Sequence, residues 1–325
     1  MDIATLVRSL GGMAQKRQLV ALGARDHHLT DAVRRGEVGR ARQGWYTVLP
    51  LMDPRVRAVR VGGRLTGISA VAALGGWVLD ATLLHVAVPR NAARLRSQTD
   101  RRLHPPAPRI AGVRLHWAPV GGGTAVTVGL LDALHRVILD ESREQVIAVL
   151  DWALHTGRVD RLEVETLMLG VPPGRRIAWA ALDERCESLP ESLARTRLTE
   201  AGHDVRSQVR LNDVERIDLV VDGVIGLEVD GEEFHRETFL RDRDKDAAIL
   251  RMHLVPHRVP AVRVFQSWPA VLATIHSALA DFGNSGVPPR KPPRKRSTRT
   301  RRTPIPEFPK GGGGIGGGAG ALGTT

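Results

Sequence analysis

RIDLVVDGVIGLEVDGEEFH, residues 216–235, decides how the C-terminal half of this chain reads. Two apolar strands, 216–221 and 224–230, flank the turn signal Asp222-Gly223. Three carboxylates interrupt them. Asp218 breaks the first strand, and Glu228 and Asp230 stand two residues apart on the second. Side chains alternate along a strand, so Glu228 and Asp230 share a face. Like charges on one face are costly unless a cation lies between them, and the set Asp218, Glu228 and Asp230 suits Mg²⁺ or Mn²⁺. Register supplies a check. A strict two-residue turn pairs Asp218 with Leu227 and turns Glu228 away, whereas a three-residue or bulged turn pairs Asp218 with Glu228. The alternative is that all three carboxylates lie on a solvated strand face.

Working outward, Pro190-Glu191 starts an amphipathic helix that Gly202 closes, and 205–211 reads as a strand. On the other side, EEFHRETFLRDRDKDAAIL becomes helical toward Leu250, 257–265 reads as a strand and 268–279 as a last helix. The order is helix, three strands, helix, strand, helix, an α/β core.

Five pieces of this region carry a resemblance: SLPESLAR at 188–195, RIDLV at 216–220, LEVDGEEFH at 227–235, RDRDKDAAIL at 241–250 and HRVPAVRVF at 257–265. Together they resemble a family of uncharacterised proteins related to the very short patch repair endonucleases, within the PD-(D/E)xK nuclease-like superfamily. The resemblance implies a restriction-endonuclease-like core with Asp218 as principal metal ligand and Glu228 as second carboxylate. It makes Glu191 an outer helix carboxylate and His235 a general base or water-positioning group. Phosphodiester hydrolysis needs an in-line water, a cation on the non-bridging oxygens and a proton acceptor, and histidine titrates near neutrality. There is one departure. Where the superfamily's E-x-K places a lysine, this chain has Asp230, and Lys245 substitutes only if it folds back.

The N-terminal end reads differently. Ile3, Leu6, Val7 and Leu10 repeat at helical spacing up to Gly11-Gly12; a second helix spans 15–22, and a third starts with Asp26 as N-cap and runs to Gly36. Residues 38–48 then read as a hairpin, giving the order of a winged helix-turn-helix, whose third helix enters the major groove while the wing lies on phosphates. His27, His28, Arg34 and Arg35 would face the groove, and Arg40 and Arg42 the backbone; Lys245 joins the DNA-contact set. With its closing R-x-G-W-Y strand at 42–46, this unit resembles the N-terminal domain of AbiEi-type antitoxins, which implies duplex DNA as a partner. A helical domain used for protein contacts is the alternative.

Between them, the GGRLTGISAVAALGG segment within 61–76 has the small-residue spacing of a tightly packed helix, 84–88 and 113–117 are short strands, and 130–139, 145–154 and 162–169 are aliphatic helices. His85, His116, His135 and His155 have no mutual spacing that suggests a metal site, and they read as structural or exposed.

Composition bounds the rest. The chain has 325 residues, 42% hydrophobic and only 4% aromatic, so its cores are aliphatic. One cysteine, Cys186, excludes an internal disulfide framework. The start has no basic and apolar signal pattern, and no apolar run is long enough for a membrane span, so a cytoplasmic location without membrane contact is expected. Of the net charge of +12, nine Lys/Arg and one Glu within 286–310 supply +8. The fold class expected is therefore multidomain α/β: a winged helix-turn-helix at 1–50, a mixed α/β connecting region at 51–180, an endonuclease-like domain at 181–282 and a disordered Pro/Arg/Gly-rich basic tail at 283–325. Two functions remain open: a Mg²⁺- or Mn²⁺-dependent endonuclease acting on double-stranded DNA, and a non-catalytic antitoxin-type regulator whose nuclease-like domain serves a partner. RNA stays open as a substrate.

Overall fold

Asp2 starts the first helix: its carboxylate accepts the Thr5 N–H at 2.9 Å, and α1 (Ile3–Ser9) ends before Gly11 and Gly12, both at positive φ. The computed structural model describes residues 1–104, 110–117, 121–212, 215–231 and 239–284. After α1 come β1 (Met13–Gln15), α2 (Lys16–Ala21), α3 (Asp26–Arg34) and a hairpin of β2 (Gly39–Arg42) and β3 (Trp45–Thr47). β3 lies between β1 and β2, antiparallel to both. Three residues are too short a run to show alternation, so β1 is not visible in the sequence. Asp26 does not cap α3. Arg25 occupies that place, and Asp26, the first helical residue, pairs with Lys16 at 2.8 Å.

The middle region consists of α4 (Pro54–Val61), β4 (Arg64–Leu65), α5 (Gly67–Ala73), β5 (Leu84–Val88), β6 (Val113–Trp117), α6 (Leu130–Asp140), α7 (Arg143–His155) and α8 (Arg161–Leu169). Residues 61–76 are not one helix. Gly62 and Gly67 adopt φ of 116° and 50°, and the two breaks leave room for β4 between α4 and α5. β5 is buried along its whole length, with β4 antiparallel on one side and β6 parallel on the other. An aliphatic core from α5, α6, α7 and β5 packs around it.

The last region runs α9 (Leu189–Glu200), β7 (Val205–Arg210), β8 (Arg216–Val221), β9 (Ile225–Asp230), α10 (Phe239–Arg251), β10 (Val255–Pro260), α11 (Ala261–Gln266) and α12 (Trp268–Asn284). The strand order is β10-β9-β8-β7, with β10 parallel to β9 and the other pairs antiparallel. The strand expected over 257–265 is shorter. It stops at Pro260, and 261–266 coil into α11. Residues 283 and 284 belong to α12, and the rest of the segment expected to be disordered, 285–325, lies outside the described residues. The described chain is thus mixed α/β with three small sheets, and no described helix is long and apolar enough to cross a membrane.

The β8–β9 ladder pairs Leu219 with Leu227, Val220 with Gly226 and Val221 with Ile225. Three residues, Asp222, Gly223 and Val224, therefore make the turn, and the next step of the same register sets Asp218 opposite Glu228. Asp222 has φ of 51°, which few non-glycine residues tolerate. Its carboxylate is held on both oxygens: the Asp204 N–H donates to one at 2.8 Å, and His203 Nδ1 lies 2.7 Å from the other. These contacts offset the strain and fix the register.

Two further features seat this sheet. A Cβ built on Gly226 would stand 2.8 Å from Ile249 Cγ2, so the missing side chain lets α10 lie close against β9. On the other side, Asp151 of α7 is completely buried. It accepts hydrogen bonds from Ser192 Oγ at 2.7 Å and Arg195 at 3.0 Å on α9, and from the Asp183 N–H at 2.7 Å. A buried carboxylate without those donors would be strongly destabilising, so α7 and α9 are bound to one geometry.

Gly226→Ala should lower stability by roughly 1–3 kcal/mol, because the added methyl must push α10 away from the sheet. Urea denaturation measures this, and an unchanged midpoint would mean that the helix yields without cost.

Candidate functional site

β8 and β9 bring Asp218 and Glu228 together, and α9 adds Glu191 from outside the sheet. Asp218 Oδ2 accepts the Val229 N–H at 2.8 Å, so its side chain takes the next strand's donor where the ladder ends. Burial, reinforced by the nearby charges of Glu228 and Glu191, pushes the Asp218 carboxyl up to about 7. Glu228 is 4% exposed, and its Oε1 has no hydrogen-bond partner among the described residues. Burial raises its pKa too, although Lys245 opposes that shift. Glu191 is also buried, but its oxygens are occupied. They accept from the Glu187 N–H at 3.0 Å, Ser188 Oγ at 2.8 Å and Gln208 Nε2 at 3.0 Å.

Lys245, on α10, folds back onto the sheet and its ammonium pairs with Glu228. A lysine thus reaches the carboxylates although Asp230 occupies the E-x-K position. The same pairing corrects its assignment as a DNA contact, because its charge is committed to Glu228. Asp230 shares the face of Glu228 but belongs to another pair: Arg258 lies 3.3 Å from it and 3.2 Å from Asp246. The carboxylates that face each other are consequently Asp218 and Glu228, with Asp230 turned to a guanidinium. His235 lies outside the described residues.

Gln208 is a residue that the sequence did not single out. In the β7–β8 register it falls opposite Asp218, between the pairs Ser207–Leu219 and Val209–Ile217, and it adopts φ of 53°. Such backbone strain collects at functional sites. A Gln in a strand carries no sequence signal for it.

The N-terminal basic residues divide into two groups. Arg34 and Arg40 are exposed; Arg34 has Asp31 at 4.0 Å, and the Arg40 guanidinium lies 5.6 Å from the centre of the Tyr46 ring. Of the others, all but His27 are engaged. Arg35 pairs with Glu37 at 2.7 Å, and His28 Nδ1 accepts the Arg25 N–H at 3.2 Å, while His27 stays exposed. Arg42 does not face outward as a wing cation. Its guanidinium donates to the carbonyls of Arg60 and Val61, at 3.3 and 2.9 Å, and to that of Arg94. It ties the hairpin to the end of α4.

A second cluster lies in the middle region. His85 and His116, on the parallel strands β5 and β6, share a sheet face, and Asp140 ends α6 above it. Their rings are 5.1 Å apart, and one donor atom from each of His85, His116 and Asp140 lies within 4.8 Å of the others. This group could hold a metal ion, so His85 and His116 are neighbours although their sequence spacing suggests no metal site. His135 and His155 do behave structurally, contacting the carbonyls of Gly170 and Glu184. Sequence spacing hid the pair because a long crossover separates two adjacent parallel strands.

No family model matches this chain, and no curated protein matches it.

The Asp218 carboxyl gives a pH test. It stays protonated in the folded protein up to about 7, whereas an unfolded aspartate ionises near about 3.9. The folded state holds more protons between those values, so the contribution of this group to stability is full below pH 4 and is lost as pH rises toward 7. Asp218→Asn keeps an acceptor for the Val229 N–H and removes the charge. Its melting temperature relative to wild type should therefore climb from near parity at pH 4 to a gain of several degrees at pH 7.5. A variant less stable at every pH would make Asp218 an ordinary structural acceptor.

Proposed function

We propose that this chain binds duplex DNA through its N-terminal unit and hydrolyses phosphodiester bonds at Asp218 and Glu228 with Mg²⁺ or Mn²⁺. The observation that carries this reading is the charge arrangement of the site: half-buried Asp218 facing buried Glu228, with Glu191 beside them and, among the described residues, one lysine. A cation between Asp218 and Glu228 would offset the burial and the like-charge repulsion that together push the Asp218 carboxyl up to about 7. It would also give the unpartnered Glu228 Oε1 something to bind. Hard oxygen donors suit Mg²⁺ or Mn²⁺. On both counts the residues fit the ion.

Asp218 and Glu228 would hold the cation, which supplies charge neutralisation at the phosphate oxygens and acidifies a bound water. Glu191, fixed by Ser188 and Gln208, keeps negative charge behind Asp218. Lys245 sets the orientation of Glu228 through their ion pair. His235 would handle the water. The succession of α9, three antiparallel strands, α10 and a parallel strand supports a restriction-endonuclease-like core. Three short helices followed by a hairpin support a winged helix-turn-helix, with Arg34 and Arg40 as its available phosphate contacts.

One observation favours the second reading, a DNA-binding regulator of antitoxin type with a degenerate nuclease domain. Lys245 and Arg258 already compensate Glu228 and Asp230, so the site can stand without a metal.

A plasmid-nicking assay separates the two. With Mg²⁺ or Mn²⁺ the wild type should nick, EDTA should stop it, and Asp218→Asn and Glu228→Gln should each lose on the order of 100-fold or more. Nicking that survives Asp218→Asn overturns Asp218 as a cleavage residue, and a wild type that binds DNA without cutting it supports the regulator.

A further inference from the structure

The polar groups buried in the middle region call for an explanation that the nuclease reading does not supply. His85 is 3% exposed and His116 7%. His85 Nδ1, His116 Nε2 and Asp140 Oδ2 are all buried without a hydrogen-bond partner among the described residues. Orphaned buried atoms on three neighbouring residues are unusual, because a desolvated polar atom without a partner is a net loss for folding; on His116 it is the other ring nitrogen, Nδ1, that faces Asp140. A Cβ built on Gly67 would stand 3.1 Å from His85 Nδ1, so α5 passes close to this ring without offering it a donor.

We infer that His85, His116 and Asp140 form a second metal site, separate from Asp218 and Glu228, for a borderline divalent ion of the Zn²⁺ class. Two imidazoles and a carboxylate are the donor set such an ion takes, whereas Mg²⁺ prefers oxygen alone. The spacing agrees. His116 Nδ1 and Asp140 Oδ2 are 3.6 Å apart, too long for a hydrogen bond. Two ligands of one tetrahedral ion, each at about 2.0–2.1 Å, would stand roughly 3.3–3.5 Å from each other.

The surroundings orient the donors. Arg114 and Arg136 both approach Asp140 Oδ1, at 3.5 and 3.7 Å, which leaves Oδ2 toward His116. Such outer contacts are the usual way a ligating carboxylate is fixed. The two guanidiniums oppose a cation, and Glu141 works against them: its carboxylate lies 3.9 Å from His85 Nε2 and is available as a further donor. Burial lowers the pKa of both imidazoles, so they present free nitrogen lone pairs near pH 7. A bound ion would join β5, β6 and α6 and stabilise the middle region, a structural role that does not depend on catalysis elsewhere.

The test uses the full chain, stripped with a chelator and dialysed. Zn²⁺ should bind at one equivalent per chain, measured by competition with a chromophoric chelator, and raise the melting temperature by several degrees through mass action. In ¹⁵N spectra of the wild type, the ring nitrogens of His85 and His116 should shift on Zn²⁺ addition while those of His135 and His155 stay. His85→Ala and His116→Gln should each weaken Zn²⁺ at least 100-fold, whereas Asp218→Asn should leave it unchanged. If His85→Ala fails to fold, the wild-type nitrogen shifts decide. Absence of those shifts, or Zn²⁺ binding that is lost with Asp218→Asn and kept in His116→Gln, overturns the assignment.

Discussion

One residue in a turn sets the chemistry of the C-terminal sheet. With Asp222, Gly223 and Val224 outside the ladder, Glu228 lies opposite Asp218; with a turn one residue shorter, every side chain of β9 would change face. The protein holds that turn against its backbone preference. Asp222 sits at positive φ because the Asp204 N–H and His203 grip its carboxylate. From this register the rest follows. Leu227 and Ile225 enter the core, Gly226 admits α10, and α10 carries Lys245 to Glu228.

The site is built at a cost to stability. Asp218, Glu228 and Glu191 put three carboxylates in one poorly hydrated place, and among the described residues one lysine does not balance them. Folding meets the excess by keeping Asp218 protonated to about 7. Natural proteins accept local conflicts of this kind mainly where function requires them. The contrast with Asp151 is informative. That carboxylate is buried more completely, yet Ser192, Arg195 and the Asp183 N–H saturate it, so it works as a joint between α7 and α9.

Much of this was legible in the sequence because it depends on local pattern. Apolar runs around Asp222-Gly223 located β8 and β9, Gly11-Gly12 marked the end of α1, and the carboxylates stood out as exceptions in aliphatic strands. What was not legible depends on where side chains go after packing. Arg42 looks like any wing arginine until α4 offers it carbonyls, and Lys245 like any helix-surface lysine until α10 docks on Gly226. Pro260 ends β10 because the chain must turn into α11, although alternation continues past it. His85 and His116 become neighbours only through the parallel pairing of β5 and β6.

The most direct measurement is the titration of the Asp218 carboxyl, followed by its ¹³Cγ shift with and without Mg²⁺. The account gives a midpoint near 7 in the metal-free protein, and a fall of one unit or more when Mg²⁺ is present, since an adjacent cation favours the ionised form. An ordinary midpoint of about 4 in both conditions would contradict it: the carboxylates would then be neither crowded nor gathered around a cation.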